Sequence, residues 1–368
     1  MLRVPRDQGI TEPVSWATAE KVAFQVARRG GTLTARDRRD LEKDFTEFTE
    51  QAEELVAVAT GLRPPSPARG RVTDREGWIS ANVASFRRLI SPLTDRLAER
   101  NMPGPLAQVT GALTGAQVGM VLGWMSSRVL GQYDLLITEG DGEEDQDLVY
   151  YVGPNVLSLE RRHGFAPREF RLWIALHEVT HRAQFTAVPW MRGHFLGLVE
   201  RGLDIATPDP RHVLEALKRA AVEIRAGHNP LAEAGLVGMI ADEKQLATLH
   251  EVQALMSLLE GHGDVTMDRA GEGLVPGASR FAKVLRERRA EARGVAKLLQ
   301  QLIGLEAKMR QYAEGERFVE QVERAGGPSL LSRVWQGASM LPTLEEIRAP
   351  ERWVARAGDG ILSAATGA

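Results

Sequence analysis

The sequence predicts a mainly α protein with one small β-sheet, an α+β class. Helix-start and helix-stop signals bracket most of the chain, with apolar residues at helical spacing between them. One short region, Asp134 to Leu159, turns β-prone instead. Just after it comes a convincing apolar helix that carries His177-Glu178-Val179-Thr180-His181.

The chain has 368 residues, 43% hydrophobic and 26% charged, enough apolar content for a soluble globular core. Its 46 basic and 49 acidic residues nearly cancel, to a net charge of -3. That balance argues against a nucleic-acid partner or a polybasic membrane patch. There are no cysteines, so disulfides are excluded and any metal must be held by His, Asp or Glu. The opening MLRVPRDQGITEPVSW has no apolar run of signal-peptide length, which leads us to expect a cytoplasmic protein.

Taken in order, Ser15 caps a first helix reaching about Arg29. Thr34 and Asp37 form a capping box for a long charged helix that stops near Gly61. RPPSPARG, residues 63–70, reads as a Pro-rich connector. Thr73 with Glu76 resembles a second capping box, and Pro92 suits the first turn of a further helix. Gly111, Gly115, Gly119 and Gly123 then form a small-residue stripe. Polar neighbours such as Gln108, Gln117 and Arg128 favour a buried helix that lets another approach closely, rather than a membrane span. Strands are expected at Asp134–Thr138 and Leu148–Val152, with a possible third at Asn155–Leu159. The acidic turn GDGEEDQD lacks the ligand spacing of a calcium loop and reads as a solvated hairpin. From Pro167 onward the pattern is helical, except at Pro208–Pro210, Gly271–Gly277 and the tail after Ala349. A working division is residues 1–103, 104–348 and 349–368, compatible with one compact unit.

His177 and His181 fall one turn apart on one helix face, so their imidazoles can reach a single metal ion. Glu178 projects beside that ion, where it can hold and deprotonate a water. With 8 histidines in 368 residues, the pattern arises by chance on the order of 1% of the time. Arg168, Arg171 and Arg182 are expected together on a wet side of this helix.

A catalytic zinc site needs a third protein ligand. The best candidate is Glu260, at the end of a helix expected over Ala241–Leu259, in SLLEGHGDVTMD. Glu260 and Asp264 have the E-x-x-x-D form of gluzincins, metalloproteases whose third ligand is Glu and whose Asp braces a ligand histidine. His262 is the competitor, with Asp264, His194 and Glu251 behind it. Gly261 and Gly263 argue against unbroken helix through the motif. For stabilising an oxyanion, Tyr312 in KMRQYAEG ranks first, then His194 and Arg182.

Several stretches resemble a bacterial, largely actinobacterial, zincin-like metallopeptidase family, long of unknown function. They are VLGQYDLL, YVGPNV, LHEVTHRAQF, LLEGHGDVTMD, GLEAKMRQYAEGERFV and LPTLEEIRAPERWVAR, lying between Val129 and Arg356. Some members are labelled as associated with deazaflavin-coenzyme biosynthesis. The resemblance implies a zincin-like core and a zinc-dependent hydrolase acting on a peptide or other amide. By position, His177, His181 and Glu260 would be ligands and Glu178 the base. YVGPNV would be an edge strand beside the site, since zincins bind extended peptides by strand addition. The rival reading is a non-catalytic helical scaffold with a structural or vestigial zinc site, which would need four protein ligands.

Overall fold

The computed structural model describes residues 13–28, 31–100, 105–135, 147–204, 243–290 and 305–365. The elements before the sheet are α1 (Trp16–Ala27), α2 (Ala35–Thr60), β1 (Arg69–Thr73), α3 (Arg75–Arg100) and α4 (Pro105–Ser126). Then come β2 (Gly131–Tyr133), β3 (Leu148–Val152), α5 (Gly153–His163), α6 (Pro167–Thr186) and α7 (Met191–Asp204). The chain continues with α8 (Glu243–Ala270), α9 (Ala278–Ala290), α10 (Leu305–Leu331), α11 (Leu344–Arg348) and α12 (Pro350–Ala365). Helices dominate and three short strands form the sheet, as the sequence predicts.

Local signals set several helix ends. Ser15 caps α1, Thr34 and Asp37 make the capping box of α2, and Gly61 closes α2 in the left-handed region at φ 74°. The glycine stripe is where α4 meets α1. A Cβ on Gly115 would stand 2.3 Å from Ser15 O, and one on Gly119 2.3 Å from Ala19 O. Only glycine permits that approach. No described helix is long and apolar enough to cross a membrane.

Elsewhere tertiary structure overrides the local reading. The end of the Pro-rich connector is strand β1, paired in parallel with β3 from Arg69↔Leu148 to Thr73↔Val152. RGRVT buries only Val72, so its strand state comes from its partner rather than its own pattern. The strand expected from Asp134 lies earlier, at Gly131–Tyr133, antiparallel to β3. Residues 136–146, most of the acidic turn, fall outside the described set, as does Pro208–Pro210. Asn155–Leu159 is helical, within α5: Pro154 suits a first helical turn, and Asn155 Nδ2 donates to Ser126 O and Val129 O at 2.7 Å each. YVGPNV therefore joins the central strand to a helix and is no sheet edge. Asp74, not Thr73, caps α3, accepting from Gly77 N at 2.8 Å, and the helix runs on through residue 92. The tail after Ala349 is helical up to Ala365.

Sheet order is β1-β3-β2, with every residue of β3 buried. Helix α2 packs along α6, and the two share one core that holds Leu41, Phe45, Phe170 and Leu176, each fully buried. Such side chains contribute about 1.5–3 kcal/mol each, so this seam holds α6 in place. Its arginines do not sit together in water. Arg168 stays exposed and pairs with Asp44 and Glu47, but Arg171 and Arg182 are buried. Arg171 meets both Glu160 oxygens at 2.8 Å and Asp44 at 2.7 Å. Arg182 donates to Glu53 at 2.8 Å, to Ser66 O at 2.6 Å, and to Asp147. Carboxylates from other elements match each buried charge, which makes burial tolerable.

Candidate metal centre

Pro167 opens α6, and Glu169 in its first turn accepts from Gly277 N at 3.0 Å, fixing the Gly-rich turn against it. One turn separates His177 and His181, whose Nε2 atoms face each other 3.2 Å apart. Helix α8 crosses α6 and presents Glu260, with Oε2 at 3.7 Å from His181 Nε2. One ligand atom from each of His177, His181 and Glu260 lies within 4.8 Å of the others.

The glycines flanking His262 do not break α8, which runs unbroken to Ala270 and puts Glu260 well inside the helix. They are there for close approach. A Cβ on Gly261 would stand 2.1 Å from Gly315 C, so α10 packs backbone to backbone against α8. One on Gly263 would stand 3.3 Å from His181 Cε1, in the space the imidazole needs.

Glu178 is half-buried and lies over β2. A Cβ on Gly131 would be 2.5 Å from Glu178 Cγ, so the carboxylate arm occupies the room a side chain would take. β2 is an edge strand. Leu130 and Asp134, which flank it, bond to β3, and this turns the peptide groups of Gly131 and Tyr133 toward the side away from β3. The Tyr133 N–H donates to Glu178. Burial pushes the Glu178 carboxyl up to about 7; His181 opposes this, Glu260 adds to it, and the Tyr133 N–H lowers it. For His181, burial works downward, but the nearby Glu260 carboxylate wins and raises it to about 9.

His262 is drawn elsewhere. Its ring meets Trp335 edge-on at 5.0 Å, and its Nδ1 lies 3.0 Å from Gln184 Nε2. Burial, then the charges of His181 and Arg269, push it down to about 3. Asp264, one turn beyond Glu260, is half-buried and is not among the three converging groups. His194 packs against Trp190 on α7, and Glu251 pairs with Arg201 at 2.7 Å. Arg182 is consumed by its ion pairs. Tyr312 falls on α10, but its side chain lies outside the described set. A cavity of about 880 Å³ beside Arg75, Leu157 and Arg161 shares no residue with the cluster.

Sequence reasoning missed Gly131 and Gln184. Gln184 was within reach, since it follows His181 by three residues on the same helix face. Gly131 carries no such signal, because only the fold lays it under Glu178.

Two imidazoles and a buried carboxylate suit zinc, which takes three protein ligands in a catalytic site. Two nitrogens on one tetrahedral zinc stand about 3.3 Å apart. The observed 3.2 Å fits that spacing.

No curated protein matches the chain. It is similar to a crystal structure from Chloroflexus aurantiacus, described as that of a candidate hydrolase with a novel fold. The TM-score is 0.69 and the identity 29%, covering 93% of this chain and 98% of that one. The zincin-like metallopeptidase family matches residues 14–354, nearly the whole length and the entire site, and the chain belongs to that family.

Proposed function

We propose that this chain is a single-zinc hydrolase of gluzincin type that cleaves amide bonds, with His177, His181 and Glu260 as ligands and Glu178 as general base. The observation that carries this reading is the convergence of three ligand atoms from α6 and α8, with a second carboxylate, Glu178, beside them. Bound zinc would supply a Lewis acid that polarises the substrate carbonyl and acidifies water. Glu178 takes the proton of the attacking water on its carboxylate and later delivers it to the leaving amine. Burial raises its proton affinity toward neutral pH, where such exchange is efficient. Gly131 and the Tyr133 N–H hold the carboxylate in position. Among the described residues no strand pairs with the outer edge of β2, which runs beside this base and suits a peptide or other extended amide added as a further strand. A structural zinc site would need a fourth protein ligand, and the group among the described residues has three.

Elemental analysis of the wild type beside His177→Ala and Glu260→Ala tests the ligand set. Near one zinc per chain in wild type, lost in both variants, is the expected result. Zinc retained in Glu260→Ala would remove Glu260 from the site, and a wild type that takes up no zinc would overturn the reading.

A further inference from the structure

Gln184 is fully buried on α6, one turn after His181, and its amide touches three groups. Oε1 lies 3.0 Å from His181 Nδ1. Nε2 lies 2.9 Å from Leu259 O and 3.0 Å from His262 Nδ1. An amide offers an acceptor oxygen and two N–H donors, and a backbone carbonyl only accepts. Leu259 O therefore fixes which end of the amide is nitrogen. With that settled, Oε1 must accept, so His181 Nδ1 carries a hydrogen. Nε2, which faces His177 and Glu260, is then the only His181 nitrogen that can offer a lone pair to a metal. The second amide hydrogen goes to His262 Nδ1, which must be an acceptor. His262 then carries its hydrogen on Nε2 and has its basic nitrogen already engaged.

We propose that Gln184 is a positioning residue that sets the tautomers of two histidines at once, aiming His181 at the metal and withholding His262 from it. The proposal rests on the ligand reading above, but the Nδ1 hydrogen of His181 and the tautomer of His262 are fixed through Leu259 O and exist without metal. Trp335 holds the His262 ring edge-on and supports the same division. A group in this position orients a ligand imagewise from behind, and losing such a group typically weakens metal binding by about 10–100-fold.

The experiment pairs nitrogen-15 histidine NMR with zinc affinity measured by chelator competition. In the wild type, with and without zinc, His181 should carry hydrogen on Nδ1, and His262 should be neutral with hydrogen on Nε2. Hydrogen on Nδ1 of His262, or none on Nδ1 of His181, overturns the proposal. These spectra need no variant to fold and no zinc to bind, so failure of the metal reading is seen separately, as a wild type that takes up no zinc. Gln184→Leu should weaken zinc binding by about 10–100-fold. Gln184→Glu keeps an acceptor for His181 but has no hydrogen for His262. It should restore most of the affinity while moving the His262 hydrogen to Nδ1. A mere packing role would not separate the two variants in this way. Equal zinc affinity in Gln184→Leu and wild type also overturns the proposal.

Discussion

Helices α6 and α8 meet at one point but carry their chemistry differently. On α6 both imidazoles and the neighbouring carboxylate fall within five consecutive residues, His177 to His181, and helical geometry alone puts the histidines on one face. On α8 a single carboxylate, Glu260, reaches the site, and nothing in its own helix says where it points. Its place depends on Gly261 meeting Gly315 and on Gly263 clearing the His181 ring. A site built along one helix is written in the sequence; a site built between helices is written in their packing.

The largest expected effect sharpens this contrast. Glu260→Ala should lose zinc as completely as His177→Ala, although the two residues are far apart in sequence, whereas His262→Phe should keep it. Metal content reads this directly, and zinc lost only in His262→Phe would exchange the roles of the two α8 residues. Next comes Glu178→Gln, which should keep zinc and lower turnover of a confirmed amide substrate by about 10²–10⁴-fold. Unchanged turnover would break the assignment of the base to α6.

Smaller effects concern how each helix is held. Arg182 is completely buried, and its partners Glu53 and Asp147 retain 23% and 19% exposure. Arg182→Met should therefore cost about 3 kcal/mol, the low end for breaking a buried pair, because the carboxylates left behind can still reach water. Denaturant unfolding measures it. Gly131→Ala should displace Glu178 and lower turnover by up to about 10²-fold with zinc content unchanged. Smallest of all, Glu251→Gln on the outer face of α8 removes an exposed pair with Arg201 and should change stability by less than about 1 kcal/mol.

The wet face expected for the α6 arginines shows how a correct helix can be misjudged. Periodicity orients Arg171 and Arg182 relative to the histidines, but it cannot see Glu160, Asp44, Glu53 and Asp147 arriving from other elements. The same holds for β1. RGRVT has one buried apolar residue and becomes a strand because β3 offers it a ladder. Conversely, Asn155–Leu159 looks β-prone by composition, yet Pro154 and the side-chain bonds of Asn155 make it the start of α5.

By itself the sequence determined the helical class, the caps of α1 and α2, the glycine seam of α4, the central strand β3 and the His177–Glu178–His181 array. All of these rest on interactions within a few residues or on a repeating apolar pattern, which local chemistry dictates. Only the tertiary structure decided that Glu260 and not His262 faces the two imidazoles, that Gly131 lies under Glu178, and that Gln184 stands between His181 and His262. Those relations join residues tens of positions apart, and their physical cause is close packing of whole helices, which no short stretch of sequence contains.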